Sequence, residues 1–365
     1  MAKKYITQGT QKQNTLSDIF TVILERKQTT RREIEAETGY SWGTVSSAVA
    51  SLIEHDYVTE EKSDRGGVGR TTYLLRPNGV RYVAVGLDMN RSGLTCEIVG
   101  LDLTCRHRME ADFVPGGQEA VIAQAEELCR RAIAWCEENG LQVFSLGLAM
   151  QGAVDGRAGL SLRFPAVADW QTFPIKAHFA QRFGLPVYLG HDPKCMLLGE
   201  MRRESLCDCI LLRIDDGIGM AVSLDGRILD DTERLELGHT VAVRGGAPCG
   251  CGRRGCLEAH ASVRAIAADA GVTGEELLAD PDRFAGQQER AGELMAVALY
   301  NAYVMFRPKK IILTGKALRL AKYMECATSS LAGEGVEILP NPDVSAAFGA
   351  AAESVRSAVR ARTIG

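Results

Sequence analysis

No run of 18 apolar residues occurs in this chain of 365 residues, so no segment has the length and character of a membrane-spanning helix. The opening MAKKYITQGTQKQN is polar and lacks the apolar stretch of a signal peptide. An excess of one charge is missing too. The 42 Lys+Arg against 46 Asp+Glu leave a formal net charge of −4, which alone says nothing about nucleic acid. The cysteines number 11, an odd count. With no leader pattern, this points to a reducing compartment, the cytoplasm. What remains is ordinary for a soluble globular protein, 46% hydrophobic and 24% charged, with length for two or three domains. The charge is unevenly spread. Residues 1–81 hold 12 Lys+Arg against 10 Asp+Glu, and the remainder holds 30 against 36. A mildly basic head on an acidic body suits a DNA-binding module joined to a small-molecule domain.

The densest chemistry lies at GHTVAVRGGAPCGCGRRGCLEAHAS. Cys249, Cys251 and Cys256 fall within eight residues, interleaved with Gly250, Gly252 and Gly255, and His239 lies ten residues upstream. Three thiolates and one imidazole are a complete tetrahedral set for Zn²⁺, and the glycines let the backbone bring ligands this close onto one ion. The alternative is three free thiols in a flexible loop. Because four protein ligands fill the shell, the site reads as a structural staple that holds Glu258 and His239 in place rather than as a catalytic zinc. Cys96, Cys105, Cys129, Cys136, Cys195 and Cys326 are scattered and read as buried small hydrophobes. Cys207 and Cys209 alternate at strand spacing and read as core.

At the N-terminus, Leu16, Ile19, Phe20, Ile23 and Leu24 recur at helical spacing. A capped short helix, RREIEAETG, stops at Gly39, and Ser41 caps a second whose stripe is Val45, Val49, Leu52 and Ile53. This is a helix-turn-helix. Its exposed face would be Ser41, Trp42, Gly43, Thr44, Ser46 and Ser47, whose hydroxyls can reach phosphates or base edges. Trp42 either stacks in the groove or packs against the wing. A strand from Tyr57, the loop SDRGGVGR and a returning TTYLL form a hairpin wing with Arg65 and Arg70 at its tip, suited to the minor groove or the backbone. The plainer alternative is a three-helix module that binds protein. Arg76–Gly79 marks the boundary, close to the next strand.

The body reads as two α/β lobes. The first runs strand, strand, strand, helix, strand, helix, strand, helix to about residue 200. The second restarts with CILLRIDDGIG and MAVSLDGRIL, takes HTVAVRG as a third strand, and continues with helices at about 258–270, 274–279 and 286–305. PKKIILTGKAL and GVEILPN are late strands, and SAAFGAAAESVRSAVRAR is a closing helix. Each lobe opens with a hairpin and a Gly turn, which suggests an internal duplication around a ligand cleft.

At these residues the chain resembles the ROK family, named for repressors, open reading frames and sugar kinases. The likeness runs from the helix-turn-helix to the closing helix. Its most specific part is Glu236-Leu237-Gly238-His239 with Cys249-Gly250-Cys251-Gly252 and Gly255-Cys256-Leu257-Glu258. The resemblance implies zinc at His239, Cys249, Cys251 and Cys256. It also implies an α+β or α/β architecture: a winged helix-turn-helix over residues 1–80, then an actin-like, ribonuclease-H-like sugar kinase fold. One lobe would span 81–200, with a C-terminal helix at about 344–361 packing back on it, and the other 201–343 with the zinc loop. The winged head makes the chain similar to the family's sugar-responsive regulators, which are homodimers or homotetramers on paired operator half-sites.

The family's kinases hold ATP in three glycine-rich turns, and each is altered here. DxGGT is replaced by Asp88-Met89-Asn90-Arg91, GTGIG by Asp215-Asp216-Gly217-Ile218-Gly219, and GGG by Thr314-Gly315-Lys316. Carboxylates where phosphates belong are repulsive, so phosphoryl transfer is not expected. The sugar side is better kept. Asp192 matches the kinase base, and Glu236, His239 and Glu258 match positions that hold sugar hydroxyls. Gly152 matches the turn under the sugar, with Gln151 in place of the usual Pro. Two departures are His191, where the family's Asn-Asp pair has Asn, and Ala166, where an Asn precedes Trp170. Without the resemblance, Asp192 reads equally as a helix N-cap, Glu236 as a surface carboxylate and Glu258 as a first-turn dipole partner. The expectation is a sequence-specific regulator of carbohydrate genes, a repressor, not an enzyme, controlled by a sugar or sugar phosphate between its lobes. The alternatives are an active sugar kinase with a DNA-binding head and a regulator controlled by a protein partner.

Overall fold

A computed structural model describes residues 8–62, 72–204, 206–229 and 235–361, in two compact units. The first takes in the chain to Arg203 and returns from Ala346, and the second spans Glu204–Ser345. Arg65 and Arg70, expected at the wing tip, lie outside the described residues.

The first unit begins with three helices, α1 (Gln8–Arg26), α2 (Arg31–Thr38) and α3 (Trp42–Glu54), and an antiparallel pair, β1 (Val58–Lys62) and β2 (Tyr73–Pro77). The local chemistry sets these limits. Thr30 and Glu33 form a reciprocal capping box at the start of α2, Gly39 ends it in the left-handed region at φ 69°, and Ser41 caps α3. Ile19, Phe20, Ile23, Ile34, Val45, Val49, Leu52 and Leu75 close the centre of this head.

The body of the unit follows as β3 (Tyr82–Asn90), β4 (Gly93–Gly100), β5 (Cys105–Ala111), α4 (Gln118–Glu138), β6 (Gln142–Met150), β7 (Ala153–Asp155), β8 (Leu160–Arg163), α5 (Ile175–Phe183), β9 (Val187–His191) and α6 (Asp192–Arg203). Its five-stranded sheet has the order β5-β4-β3-β6-β9, with an antiparallel meander on one side and parallel strands on the other. The last helix of the chain, α12 (Ala346–Arg360), lies on this sheet. Gly86 and Gly147 face one another on β3 and β6, and a Cβ there would stand 1.9 and 2.0 Å from the carbonyl oxygens of Ala347 and Ala350. The helix therefore rests on bare backbone, which accounts for the small residues of AAFGAAAES. The same helix completes the core of the head. Phe348, Ala351, Val355 and Val359 join Ala84, Val99 and Leu101 in one apolar cluster with Phe20, Val49 and Leu75. Tyr57 stacks on Tyr82 with ring centroids 4.5 Å apart, and Glu25 of α1 accepts from Arg356 of α12 at 2.6 Å. Head and sheet are thus welded through a shared core rather than strung on a linker.

The second unit contains β10 (Cys209–Ile214), β11 (Ile218–Leu224), β12 (Arg227–Ile228), α7 (Glu258–Ala261), α8 (Val263–Ala270), α9 (Gly274–Ala279), α10 (Ala285–Phe306), β13 (Lys310–Thr314), α11 (Ala321–Ser329) and β14 (Glu337–Pro340). Its sheet order, β12-β11-β10-β13-β14, repeats the pattern of the first, meander on one side and parallel strands on the other. The expected strand over HTVAVRG is not one. Leu237–His239 is a single 3-10 turn, and Val241 makes only an isolated bridge to Cys256. The expected helix at 258–270 breaks at Ser262, which is extended at ψ 160° and caps α8 by accepting from Ala265 N–H. Among the cysteines expected in the core, Cys105 and Cys207 are exposed and Cys326 is half-exposed, since they sit at the start of an outer strand, just before β10, and on the flank of α11.

Candidate functional site

In the second unit the polar loop after His239 folds onto itself. Cys249 N–H donates to Arg253 O, Gly252 N–H to Cys249 O and Gly255 N–H to Ala247 O, each at 2.8–3.0 Å. Gly255 is at φ 77°, and a Cβ there would lie 1.8 Å from the carbonyl oxygen of Val243, so only glycine closes the loop. The closure brings the ligand atoms of His239, Cys249, Cys251 and Cys256 within 4.8 Å of one another. His239 Nδ1 is 3.6 Å from Cys249 Sγ, and Cys251 Sγ is 3.6 Å from Cys256 Sγ. Sulfurs bonded to one tetrahedral zinc at about 2.3 Å stand roughly 3.8 Å apart, so these four residues form a set that can hold a metal ion. Burial pushes the Cys256 thiol up to about 12, with Cys251 and Cys249 adding to the shift. A cation is the natural counterweight for thiolates gathered this tightly. His260, which the spacing of the motif did not single out, accepts from Ala247 N–H through Nε2 at 3.1 Å and so braces the loop.

The carboxylates expected beside this loop have defined surroundings. Glu258 opens α7, and its Oε2 accepts from Ile218 N–H at 3.0 Å, while its Oε1 stands 3.8 Å from Arg264. Glu236, half-buried, precedes the 3-10 turn that carries His239, and its carbonyl accepts from His239 N–H. In the first unit, Asp192 opens α6 and is 3% exposed, with Oδ1 3.2 Å from Nε2 of His191. Gly152 is at φ 98°, and a Cβ there would stand 2.3 Å from the carbonyl oxygen of Arg163. Ala166 packs at the edge of the apolar core and supplies no polar group.

The three turns expected to differ from the kinase pattern share a feature that sequence does not reveal: in each, at least one backbone N–H already donates to a side chain of the protein. In the first, Gln151 Oε1 accepts from Arg91 N–H at 3.0 Å and Asn90 Oδ1 from Ser92 N–H at 2.8 Å. In the second, Glu258 takes Ile218 N–H. In the third, Asp215 Oδ1 accepts from Lys316 N–H at 2.6 Å, and Lys316 Nζ stands 3.5 Å from Asp216 Oδ2.

On the head, Ser41, Trp42, Gly43, Thr44 and Ser47 are exposed on α3, and Ser46 is half-buried. Ser41 and Thr44 hydroxyls bond each other at 2.9 Å. Trp42 and Ser46 line a cleft of about 400 Å³ with Thr30, Arg31, Arg32, Glu60, Thr72 and Tyr73. Arg31 and Arg32 open α2, where the sequence alone marks them only as the first turn of a short helix, and Arg31 is paired with Glu60. Trp42, 43% exposed, faces this cleft, as does Tyr73 at 47%.

Two α/β units of one topology, one with a Cys₃His loop and the other fused to a winged helix-turn-helix, define an actin-like sugar-kinase fold joined to a DNA-binding type of head. The chain belongs to the ROK family, whose model matches residues 84–358. It is 24% identical over 254 residues to a xylose repressor of Caldicellulosiruptor bescii, covering 68% of this chain and 63% of that protein. It is 32% identical over 268 residues to the DNA-binding transcriptional repressor Mlc of Escherichia coli, covering 70% of this chain and 64% of Mlc. The match thus spans a little under two thirds of these repressors' own length. A solved ROK family transcriptional regulator, described as a homolog of E. coli Mlc, superposes with a TM-score of 0.79 at 19% identity, covering 96% of this chain and 97% of that one. Glucokinases are among the relatives as well. No helix among the described residues is long and apolar enough to cross a membrane.

Proposed function

We propose that this protein is a sequence-specific DNA-binding transcription regulator, a repressor of carbohydrate genes, that answers to a sugar or sugar phosphate in the cytoplasm. The observation that carries the reading is the welded head. Helix α3 presents Ser41, Trp42, Thr44 and Ser47 outward, and its inner face shares one core with α12 and the sheet whose last strand ends at His191, just before Asp192. A ligand held at Asp192 acts on α6, which packs along α12, and α12 packs on α1 of the head. The effector shifts a population between two arrangements of the protein, only one of which docks two heads on paired half-sites of an operator. Gly152, His191 and Asp192 in the first unit, and Glu236, His239 and Glu258 in the second, are the proposed effector residues. Zn²⁺ on His239, Cys249, Cys251 and Cys256 is structural and fixes the last two of them. Ser41, Trp42, Gly43, Thr44, Ser46 and Ser47, with Arg65 and Arg70 of the wing, are the proposed DNA contacts, and the active form is a homodimer or homotetramer.

Phosphoryl transfer is not part of this function. Nucleotide phosphates need backbone N–H groups free to turn toward them. Arg91, Ser92, Ile218 and Lys316 instead donate to the chain's own side chains, two of them to carboxylates that would repel a phosphate. A coupled assay with ATP and a hexose panel should give no ADP release. Release that Asp192→Asn abolishes would establish the kinase reading instead. The deciding experiment is a thermal-shift screen of sugars and sugar phosphates, followed by operator binding with each hit. A ligand that raises the midpoint by mass action and changes operator affinity supports the proposal. A second reading, control by a protein partner, is favoured by Ala166 and His191 in place of polar amides, and would be adopted if no sugar shifts the midpoint.

A further inference from the structure

The head and the sheet meet across a charged seam as well as an apolar core. Arg202 comes from the last turn of α6, Glu353, Arg356 and Arg360 from α12, and Glu25 from α1. Three guanidiniums thus face two carboxylates. Glu25 is committed, since its Oε1 accepts from Arg356 at 2.6 Å and from Arg360 at 3.4 Å. Glu353 is thinly spread, with Oε2 3.5 Å from Arg202 and 3.8 Å from Arg356. The adjoining Arg203 is paired separately with Glu200 at 3.2 Å. Lys27 of the head donates through Nζ to the carbonyl of Arg203, so it adds to the positive surplus rather than cancelling it. At least one cationic charge in the seam has no counterpart.

Arg202 and Arg356 are the sheltered members, with side chains 19% and 22% exposed. The Nε of each is buried and has no hydrogen-bond partner among the described residues. A buried N–H without an acceptor is costly, and more so on a cation. Burial, followed by the charge of Arg356, weakens the hold of Arg202 on its proton. A neutral acceptor such as water would satisfy the donors and leave the repulsion between the two guanidiniums, whereas an anion answers both. The seam has room for a small one. Leu24 of α1, Val99 of β4, Val355 of α12 and both guanidiniums line a cavity of about 30 Å³. This exceeds the roughly 10–15 Å³ that a water needs. Apart from Glu25 and the two arginines, its walls are aliphatic side chains and Gly100. Cationic donors on one side and hydrocarbon on the other suit an ion that is small, singly charged and easily stripped of water, as a halide is.

We propose that Arg202 and Arg356 bind a chloride ion between α6, α12 and the underside of the head. The inference stands apart from the proposed function. An occupied site ties the helix that starts at Asp192 to the helix that completes the head's core, so it stiffens their joint. The test is thermal unfolding of the full-length protein in sodium chloride and in sodium gluconate at equal ionic strength, gluconate being too bulky for the cavity. Chloride should raise the midpoint along a saturating curve, by about 2–4 °C at tenfold over its Kd. Arg202→Met keeps an apolar stem, removes the guanidinium and should abolish that rise. Crystals of the wild type grown with sodium bromide should show an anomalous peak touching both guanidiniums, a measurement that stands even where the variant does not fold. Equal midpoints in the two salts overturn the site. A rise undiminished in Arg202→Met, or bromide absent from the two guanidiniums, overturns it as well.

Discussion

Asp215 accepts the backbone N–H of Lys316 through Oδ1 at 2.6 Å, and its Oδ2 takes the Nε–H of Arg213 at the same distance. One carboxylate thereby ties the turn after β10 to the turn after β13. Both Asp215 and Arg213 are about 15% exposed, so removing the acid leaves a largely buried guanidinium without its partner. Asp215→Ala should lower unfolding stability by about 2–4 kcal/mol in urea denaturation. A loss below about 0.5 kcal/mol would mean that the tie is not made in solution.

Removal of one ligand should dismantle the metal loop. Cys256→Ser, with its sulfur deep in the cluster, should abolish bound zinc as measured by elemental analysis and lower the melting temperature by several degrees. The same variant should lose the effector-dependent change in operator affinity. An undiminished response in zinc-free protein would detach Glu258 and His239 from the sensing role. Gly255→Ala should reproduce the metal loss without touching a ligand, because its Cβ cannot coexist with the Val243 carbonyl.

Trp42 offers a test of the head that stability cannot confound. Its side chain is exposed, so Trp42→Ala should change unfolding free energy by less than about 1 kcal/mol. Its operator affinity, measured on a site obtained by in vitro selection, should fall at least ~10-fold. Arg32→Ala should weaken binding and flatten its salt dependence, as expected for a phosphate contact from the cleft beside Trp42, whereas Arg31 is already paired with Glu60. Equal operator binding by the Trp42 variant would assign that ring to packing against the wing.

The joint between head and sheet should loosen in alkali. Burial, followed by the neighbouring Tyr82, pushes Tyr57 up to about 12 from its ordinary 10. The folded protein therefore holds a proton there that the unfolded chain releases above pH 10. The stabilisation is complete below pH 10 and is lost as pH rises through about 12. Tyr57→Phe should remove that part of the alkaline slope in a pH series of denaturation curves. An unchanged slope would place the titration elsewhere.

Much of this architecture is legible in the amino-acid order because its signals are local. Thr30 with Glu33, Gly39, and Ser41 punctuate the head within a few residues, and the cysteine loop declares itself by spacing alone. HTVAVRG misleads because alternating apolar residues read as a strand, while closure of the adjacent loop leaves that segment a 3-10 turn and a single bridge. The occupied amides were invisible for another reason. Gln151 and Arg91, or Asp215 and Lys316, are neighbours only after the sheets form, separated by 60 and 101 positions in the chain. The shared core of head and sheet lies further still beyond periodicity, since Glu25 and Arg356 stand 331 residues apart.

That last separation bears on how the protein is made. At roughly 5–20 residues per second of synthesis, the helix that completes the head's core reaches it some 15–70 s after α1 has left the ribosome. Until then Phe20, Val49 and Leu75 lack their partners on α12. Fragments released before α12 is translated would carry a head with an open underside, prone to capture by chaperones or proteases rather than competent to occupy an operator.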